Sequence, residues 1–226
     1  MKYLITLLIS GLVPAATHAQ NGAYITAVAG IRSCAVNTNI TYFDQKGNSI
    51  ERSALVSYNA GIGIGYEHKH WRFETGLQYL RTGYEMPNLL FGTDFDGELS
   101  HFATGPGKLR LTYNHIGIPL RVGYVFYPSK KIHLVPYLGI LTTYNTGARS
   151  VFNSTDYTWS ATAFDNRYNR ISVWGTAALY IEGDVSNKVS LFGGASLHYM
   201  ISDFAKAYTT QRNYTIGIDL GIKMNL

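Results

Sequence analysis

The chain has 226 residues and a formal charge of +5, with 14% aromatic and only 15% charged residues, against about 25% charged in an ordinary soluble domain. Its basic residues are spread along the chain and do not form one stripe, which argues against nucleic acid as a partner. A single cysteine, Cys34, excludes an intrachain disulfide, and the absence of any apolar run of about 18 residues after the first segment excludes a membrane protein built of helices.

Residues 1–19 read as an export signal. Met1 and Lys2 give a positively charged start, residues 3–13 are apolar, Pro14 breaks the run, and Thr17-His18-Ala19 supplies small residues at the cleavage positions. As a helix the apolar run rises only about 16 Å, half of a hydrocarbon core, so a signal is expected and a spanning anchor is not. The mature chain, 20–226, is expected to be one domain. Cys34 lies well past the cleavage point, so it is not the lipid-modified cysteine of a lipoprotein and reads as a lone thiol near a strand end.

After the signal, period-two alternation dominates. A first strand is predicted near 23–33. Val56, Tyr58, Ala60, Ile62, Ile64 and Tyr66 then share one face opposite Ser57, Asn59, Gly61, Gly63 and Gly65. Past the turn Glu67-His68-Lys69-His70, the residues Trp71, Phe73, Thr75, Leu77 and Tyr79 oppose Arg72, Glu74, Gly76 and Gln78. The next strand sets Ile116, Ile118, Leu120, Val122, Tyr124 and Phe126 against Gly117, Pro119, Arg121 and Gly123. Leu109, Leu111 and Tyr113 fall on the other parity, which predicts a bulge or register change near the outer end. Weaker strands are expected near 132–146, 171–183 and 188–200; the two faces of 171–183 are both apolar and leave its orientation open. The last strand alternates strictly from Tyr214 to Leu226, with Ile216, Ile218, Leu220, Ile222 and Met224 on one face and Gly217, Asp219, Gly221 and Lys223 on the other.

Connections alternate between tight turns (67–70, 128–131, 184–187) and long polar segments (34–53, 85–107, 147–170, 201–211). The pattern predicts an all-β, eight-stranded antiparallel up-and-down transmembrane β-barrel, with short turns on the periplasmic side and long loops outside. A soluble eight-stranded barrel would carry plentiful charge on its outer face. Here the less oily face holds glycines and six scattered charges, which suits the narrow interior of an eight-stranded barrel. Arg72, Glu74, Arg121, Glu182, Asp219 and Lys223 are expected to form a polar network that fills the lumen. Tyr66, Trp71, Tyr124, Phe126 and Tyr127 toward the turns, and Tyr79, Tyr84, Tyr113, Tyr144, Tyr199 and Tyr214 toward the loops, are expected to form two aromatic girdles.

Three segments resemble the PorT-like outer-membrane β-barrel proteins of Bacteroidetes: Ala60-Gly61-Ile62-Gly63-Ile64-Gly65-Tyr66, Arg72-Phe73-Glu74-Thr75-Gly76-Leu77-Gln78-Tyr79 and Asn114-His115-Ile116-Gly117-Ile118-Pro119-Leu120-Arg121. The resemblance spans the mature chain and implies a small barrel in the outer membrane of a Gram-negative bacterium. Some relatives are associated with secretion machinery, so a secretion-associated subunit is one alternative.

A lipid A-modifying enzyme at the rim is the other alternative. Ser196 and His198 share a strand face, with Ser202 and Asp203 nearby, and a hydrolase needs nucleophile, base and orienting acid within hydrogen-bond reach. The spacing does not match the histidine-x-serine-asparagine arrangement of outer-membrane deacylases, and no catalytic residue is assigned. His68 and His70 flank a lysine in a turn without further ligands, so no metal is expected. Gly61-Ile62-Gly63-Ile64-Gly65 lacks a following helix start, so no cofactor is expected. The apolar elements Leu89-Leu90-Phe91, Val151-Phe152, Tyr157 and Trp159 in the loops have two open readings: a lid over the barrel mouth, or contact with a protein partner at the surface. The expectation is a non-enzymatic outer-membrane barrel with lipid around it and partner-binding loops above it.

Overall fold

The computed structural model describes residues 22–38, 42–43, 49–50, 52–89, 107–126, 131–153, 158–162, 169–203 and 211–226. The export signal, Leu90, Phe91, Tyr127 and Tyr157 lie outside these residues, as does the side chain of Trp159. The described elements are all strands: β1 (Ala23–Thr38), β2 (Tyr42–Phe43), β3 (Ser49–Ile50), β4 (Ser53–His68), β5 (Trp71–Leu89), β6 (Gly107–Tyr124), β7 (Ile132–Asn153), β8 (Thr158–Thr162), β9 (Ile171–Asp184), β10 (Val189–Met200) and β11 (Gln211–Asn225).

Eight of them form a closed ring in chain order, β1-β4-β5-β6-β7-β9-β10-β11, every neighbour antiparallel, with β11 returning to pair β1 from Tyr24↔Asn225 to Thr38↔Gln211. Closure leaves no barrel strand with an unpaired edge. β2 and β3 form a separate two-stranded ribbon, and β8 pairs the outer end of β7 from Arg149↔Thr162 to Asn153↔Thr158, so that hairpin extends the wall beyond β9. Several expected loop segments are therefore strand: β1 runs to Thr38, and β7 carries Val151 and Phe152.

The alternation resolves into two faces. Inward lie Thr26 and Arg32 on β1, Arg72 and Gln78 on β5, Arg121 on β6, Trp174, Tyr180 and Glu182 on β9, and Asp219 and Lys223 on β11, all buried. Outward lie Ile62 (63% exposed), Leu138 (70%), Leu179, Ile181, Ile218 and Leu220 (68%). The orientation of β9, undecided by its sequence, is set with its even-numbered residues inward from Ser172 to Glu182.

The expected irregularity near His115 is present, but its extra residue is elsewhere. β6 pairs β7 as Asn114↔Gly147 and then His115↔Asn145, so Thr146 of β7 is the added residue. β6 keeps one parity: Leu109, Leu111 and Tyr113 share the inward face with His115 and Arg121. What changes is the lumen, which becomes apolar at its outer end. Leu80, Tyr84, Met86, Tyr113, Leu141, Trp174 and Met200 form one buried cluster there, with Leu109 and Leu111 packed against it.

That cluster corrects the expected outer girdle. Tyr84 and Tyr113 are interior residues, 5% and 1% exposed. Tyr58 and Tyr79 pack outward with centroids 5.8 Å apart, the Tyr79 hydroxyl donates to Asn114 Oδ1 at 2.8 Å, and Tyr199 pairs Tyr214 across β10 and β11. At the turn end Trp71, Tyr124 and Phe126 form a continuous aromatic set, with centroid separations of 5.1 and 5.0 Å.

Candidate functional site

Among the described residues the lumen gathers most of the buried ionisable side chains, and it is layered. Nearest the turns, Glu182 of β9 is the hub. Arg72 of β5 binds both its carboxylate oxygens, one through Nη1 and the other through Nη2 at 3.1 Å, and Lys223 Nζ of β11 lies 2.5 Å from Oε1. Arg72 Nε also donates to Glu67 Oε2 at 2.7 Å, and Lys223 approaches the same oxygen at 3.6 Å. The cluster spans the lumen because Arg72 follows the first hairpin turn, Glu182 precedes the turn after β9 and Lys223 lies near the end of β11, all three projecting inward at one level. Charge-assisted forks of this kind are stronger and more directional than neutral hydrogen bonds.

Tyr24 packs between the two cations, its ring 5.8 Å from the Arg72 guanidinium carbon and 5.6 Å from Lys223 Nζ. It fits because Gly65 on the neighbouring strand has no side chain: a Cβ there would occupy the space of the Tyr24 ring. Aromatic filling continues inward with Tyr137, Tyr180 and Phe192.

Deeper in the lumen, Arg121 donates to Gln78 Oε1 at 2.8 Å and lies 3.6 Å from Glu74. Asp219 is bonded to none of the other five expected network members. It receives two hydrogen bonds from Arg32 Nη2, at 2.9 and 3.0 Å, and one from the Tyr180 hydroxyl at 2.8 Å, while Arg32 Nε donates to Asn59 Oδ1 at 2.8 Å. The six expected residues thus fall into three groups: Arg72–Glu182–Lys223, Arg121–Glu74, and Asp219 with Arg32. Arg32, Glu67, Asn59 and Tyr180 were not foreseen. Arg32 shares the inward parity of Thr26, which is the available signal, whereas Glu67 belongs to the segment expected as a turn and is in fact part of β4.

Among Thr26, Arg72, Glu74, Arg121, Tyr137, Tyr180, Glu182 and Lys223 the residual cavity is about 10 Å3, room for about one water. Above this level Arg32, Ser196 and His198 are buried, and the apolar cluster around Trp174 follows.

Ser196 and His198 do share the inward face, both nearly inaccessible, but no hydrogen bond joins them. The expected acid is not with them: Asp203 is exposed and accepts from Arg212 Nε at 3.0 Å, while the Ser202 hydroxyl accepts from the Val173 amide at 2.9 Å. The arrangement does not assemble a nucleophile, base and acid, and it is walled off from the outer surface of the barrel. Cys34 is likewise interior, accepting from the Gly83 amide at 3.2 Å. His68 and His70 lie exposed at the first hairpin turn, where His68 stacks on Tyr66 and His70 on Tyr124.

No known family description matches the chain, and no curated protein matches it. Among solved structures it is similar to Neisserial surface protein A (16% identity, covering 91% of this chain and 97% of that one, TM-score 0.44). It is also similar to Ail of Yersinia pestis (15% identity, 91% and 100%, TM-score 0.39) and to the outer membrane protease OmpT of Escherichia coli (9% identity, 91% and 97%, TM-score 0.46).

Proposed function

We propose that this chain is a non-enzymatic bacterial outer-membrane barrel, anchored by its strands, closed through its lumen, and presenting its long loops to a protein partner outside. One observation carries the reading. The outward positions at 25–33 of β1, 54–66 of β4, 71–79 of β5, 132–144 of β7, 171–181 of β9 and 214–226 of β11 with its C-terminal neighbour include no Asp, Glu, Lys or Arg. The same holds for 116–126 on and beside β6, and for 189–201 on and beside β10. Eleven residues of tilted strand make a band roughly 25 Å tall, the height of an outer-membrane apolar belt.

Water is a poor solvent for such a surface, since large contiguous apolar patches on soluble proteins are rare. Acyl chains suit it, while the charges turn to an interior where they are paired. Residues 1–19 supply the export route in this reading, and the resemblance to PorT-like proteins of Bacteroidetes belongs to it.

The test is expression of the full chain in a Gram-negative host. The processed protein is expected in the outer-membrane fraction, starting at Gln20, resistant to urea extraction and migrating faster unheated than boiled. Recovery in the soluble periplasm would refute the reading. Replacing 90–106 and 163–168 by short Gly-Ser linkers is expected to leave insertion intact and remove co-purifying protein; unchanged co-purification would refute the loop role.

A further inference from the structure

Just beyond the apolar belt, β5, β6 and β7 carry a patch of like charge. Arg81 lies opposite Asn114, which lies opposite Gly147; Thr112 lies opposite Arg149, and Arg110 opposite Val151. Lys108, Arg110 and Arg149 are exposed on the same outward face. Among the described residues a single carboxylate serves them: Glu85, which binds Lys108 and accepts from Arg110 Nε at 2.7 Å and Nη2 at 2.6 Å. Arg149 has no carboxylate partner there. Arg81 lies over the Tyr58 ring at 5.5 Å, with its Nε buried and unpartnered.

Arg110 and Arg149 are diagonal neighbours across an antiparallel pair, a placement that brings Cα atoms within roughly 8 Å, and Glu85, bound to Lys108 and Arg110, is the one carboxylate among the described residues for these cations. Their height is informative. Going up β6, the outward face is apolar from Phe126 to Ile116, polar at Asn114 and Thr112, then cationic at Arg110 and Lys108. Asn114, the partner of Arg81, is two residues above Ile116 and Arg110 six, roughly 5 and 15 Å up a tilted strand, so the cations run from the headgroup level outward. They face sideways from the wall, toward neighbouring lipid, and not across the mouth toward solvent. Guanidinium forks match phosphate oxygens in pairs.

We propose that Arg81, Lys108, Arg110 and Arg149 bind the phosphorylated headgroup of an outer-leaflet lipid. The inference rests on the outer-membrane reading above and adds a lipid class and a site. Native mass spectrometry of the full mature chain, folded in detergent, tests it with three probes: bisphosphorylated lipid A, the same lipid stripped of phosphate, and inorganic phosphate. Wild type is expected to retain the phosphorylated lipid at least tenfold better than the stripped one. Millimolar inorganic phosphate is expected not to displace it. The triple variant Lys108→Gln/Arg110→Gln/Arg149→Gln is expected to lose the preference, while Lys131→Gln/Lys188→Gln at the opposite rim keeps it. Equal retention of both lipids by wild type overturns the proposal without reference to any variant. So does an unchanged preference in the folded triple variant. Displacement by inorganic phosphate overturns it in favour of a soluble anion. A barrel that inserts but shows no preference refutes this site alone; a chain that stays soluble refutes the outer-membrane reading itself.

Discussion

Arg32 of β1 and Asp219 of β11 join the first and last barrel strands from the inside, through hydrogen bonds of 2.9 and 3.0 Å between residues 187 positions apart. Gly30 is the register partner of Asp219 and Gly217 that of Arg32, so the pair lies diagonally across the closing seam. Neither glycine obstructs it: a Cβ at Gly30 would collide with Asp219, and one at Gly217 with the Arg32 stem. The seam is thus pinned by one buried ion pair with Asn59 and Tyr180 completing its hydrogen bonds.

Breaking that pair from either side strands a buried charge. Arg32→Met or Asp219→Leu alone is expected to cost about 3–5 kcal/mol, because the partner remains desolvated and unpaired. Arg32→Met/Asp219→Leu/Tyr180→Phe is expected to recover most of that loss. Urea-dependent unfolding in lipid vesicles measures the cycle; additive losses would show that the two residues act independently.

Glu182 is a more demanding case because it serves two cations. Glu182→Gln leaves Arg72 and Lys223 facing each other with only the partly exposed Glu67 between them. Its cost is expected to exceed that of Glu74→Gln, whose partner Arg121 keeps its bond to Gln78. The same unfolding measurement ranks the two, and a larger loss for Glu74→Gln would contradict the hub.

The layered lumen predicts electrical silence. With the cavities among the ionic side chains only about 10 Å3 each and an apolar cluster beyond them, purified barrel in a planar bilayer is expected to show no stable conductance. Gly65→Val is expected to lower stability by about 1–3 kcal/mol by displacing Tyr24 from between Arg72 and Lys223. A variant as stable as wild type would show that the ring packs elsewhere.

The outer belt predicts depth-dependent damage. Leu220→Arg, near the middle of the outward face of β11, is expected to cost about 2–4 kcal/mol, while Met224→Arg near the strand end costs about 0–1. Equal costs would mean that no apolar slab surrounds the barrel.

The strands with strict alternation, β4, the lower half of β6 and β11, were legible because one face is oily and the other glycine-rich throughout. Arg32 was not, since the sequence around it, Gly30-Ile31-Arg32-Ser33, looks like a strand end and its partner is fixed only by ring closure. The parity of Leu109, Leu111 and Tyr113 was misleading for a physical reason. Period two reports which residues share a face but not which face meets lipid, and here the outer lumen is itself apolar. Tyr84 and Tyr113 moved from girdle to core by the same cause. Ser196 and His198 were correctly placed on one face, but their burial depended on how far the wall rises above them.

Lipid contact by the outward stripe underlies the outer-membrane reading, and site-directed spin labelling addresses it directly. With Cys34 replaced by alanine, single labels at Ile62, Leu138 and Leu220 in vesicles are expected to relax strongly with molecular oxygen and weakly with a water-soluble nickel chelate. A label at Lys69, in the first hairpin turn, should show the reverse. Strong relaxation by nickel at Leu138 and Leu220 would place the stripe in water and contradict the account.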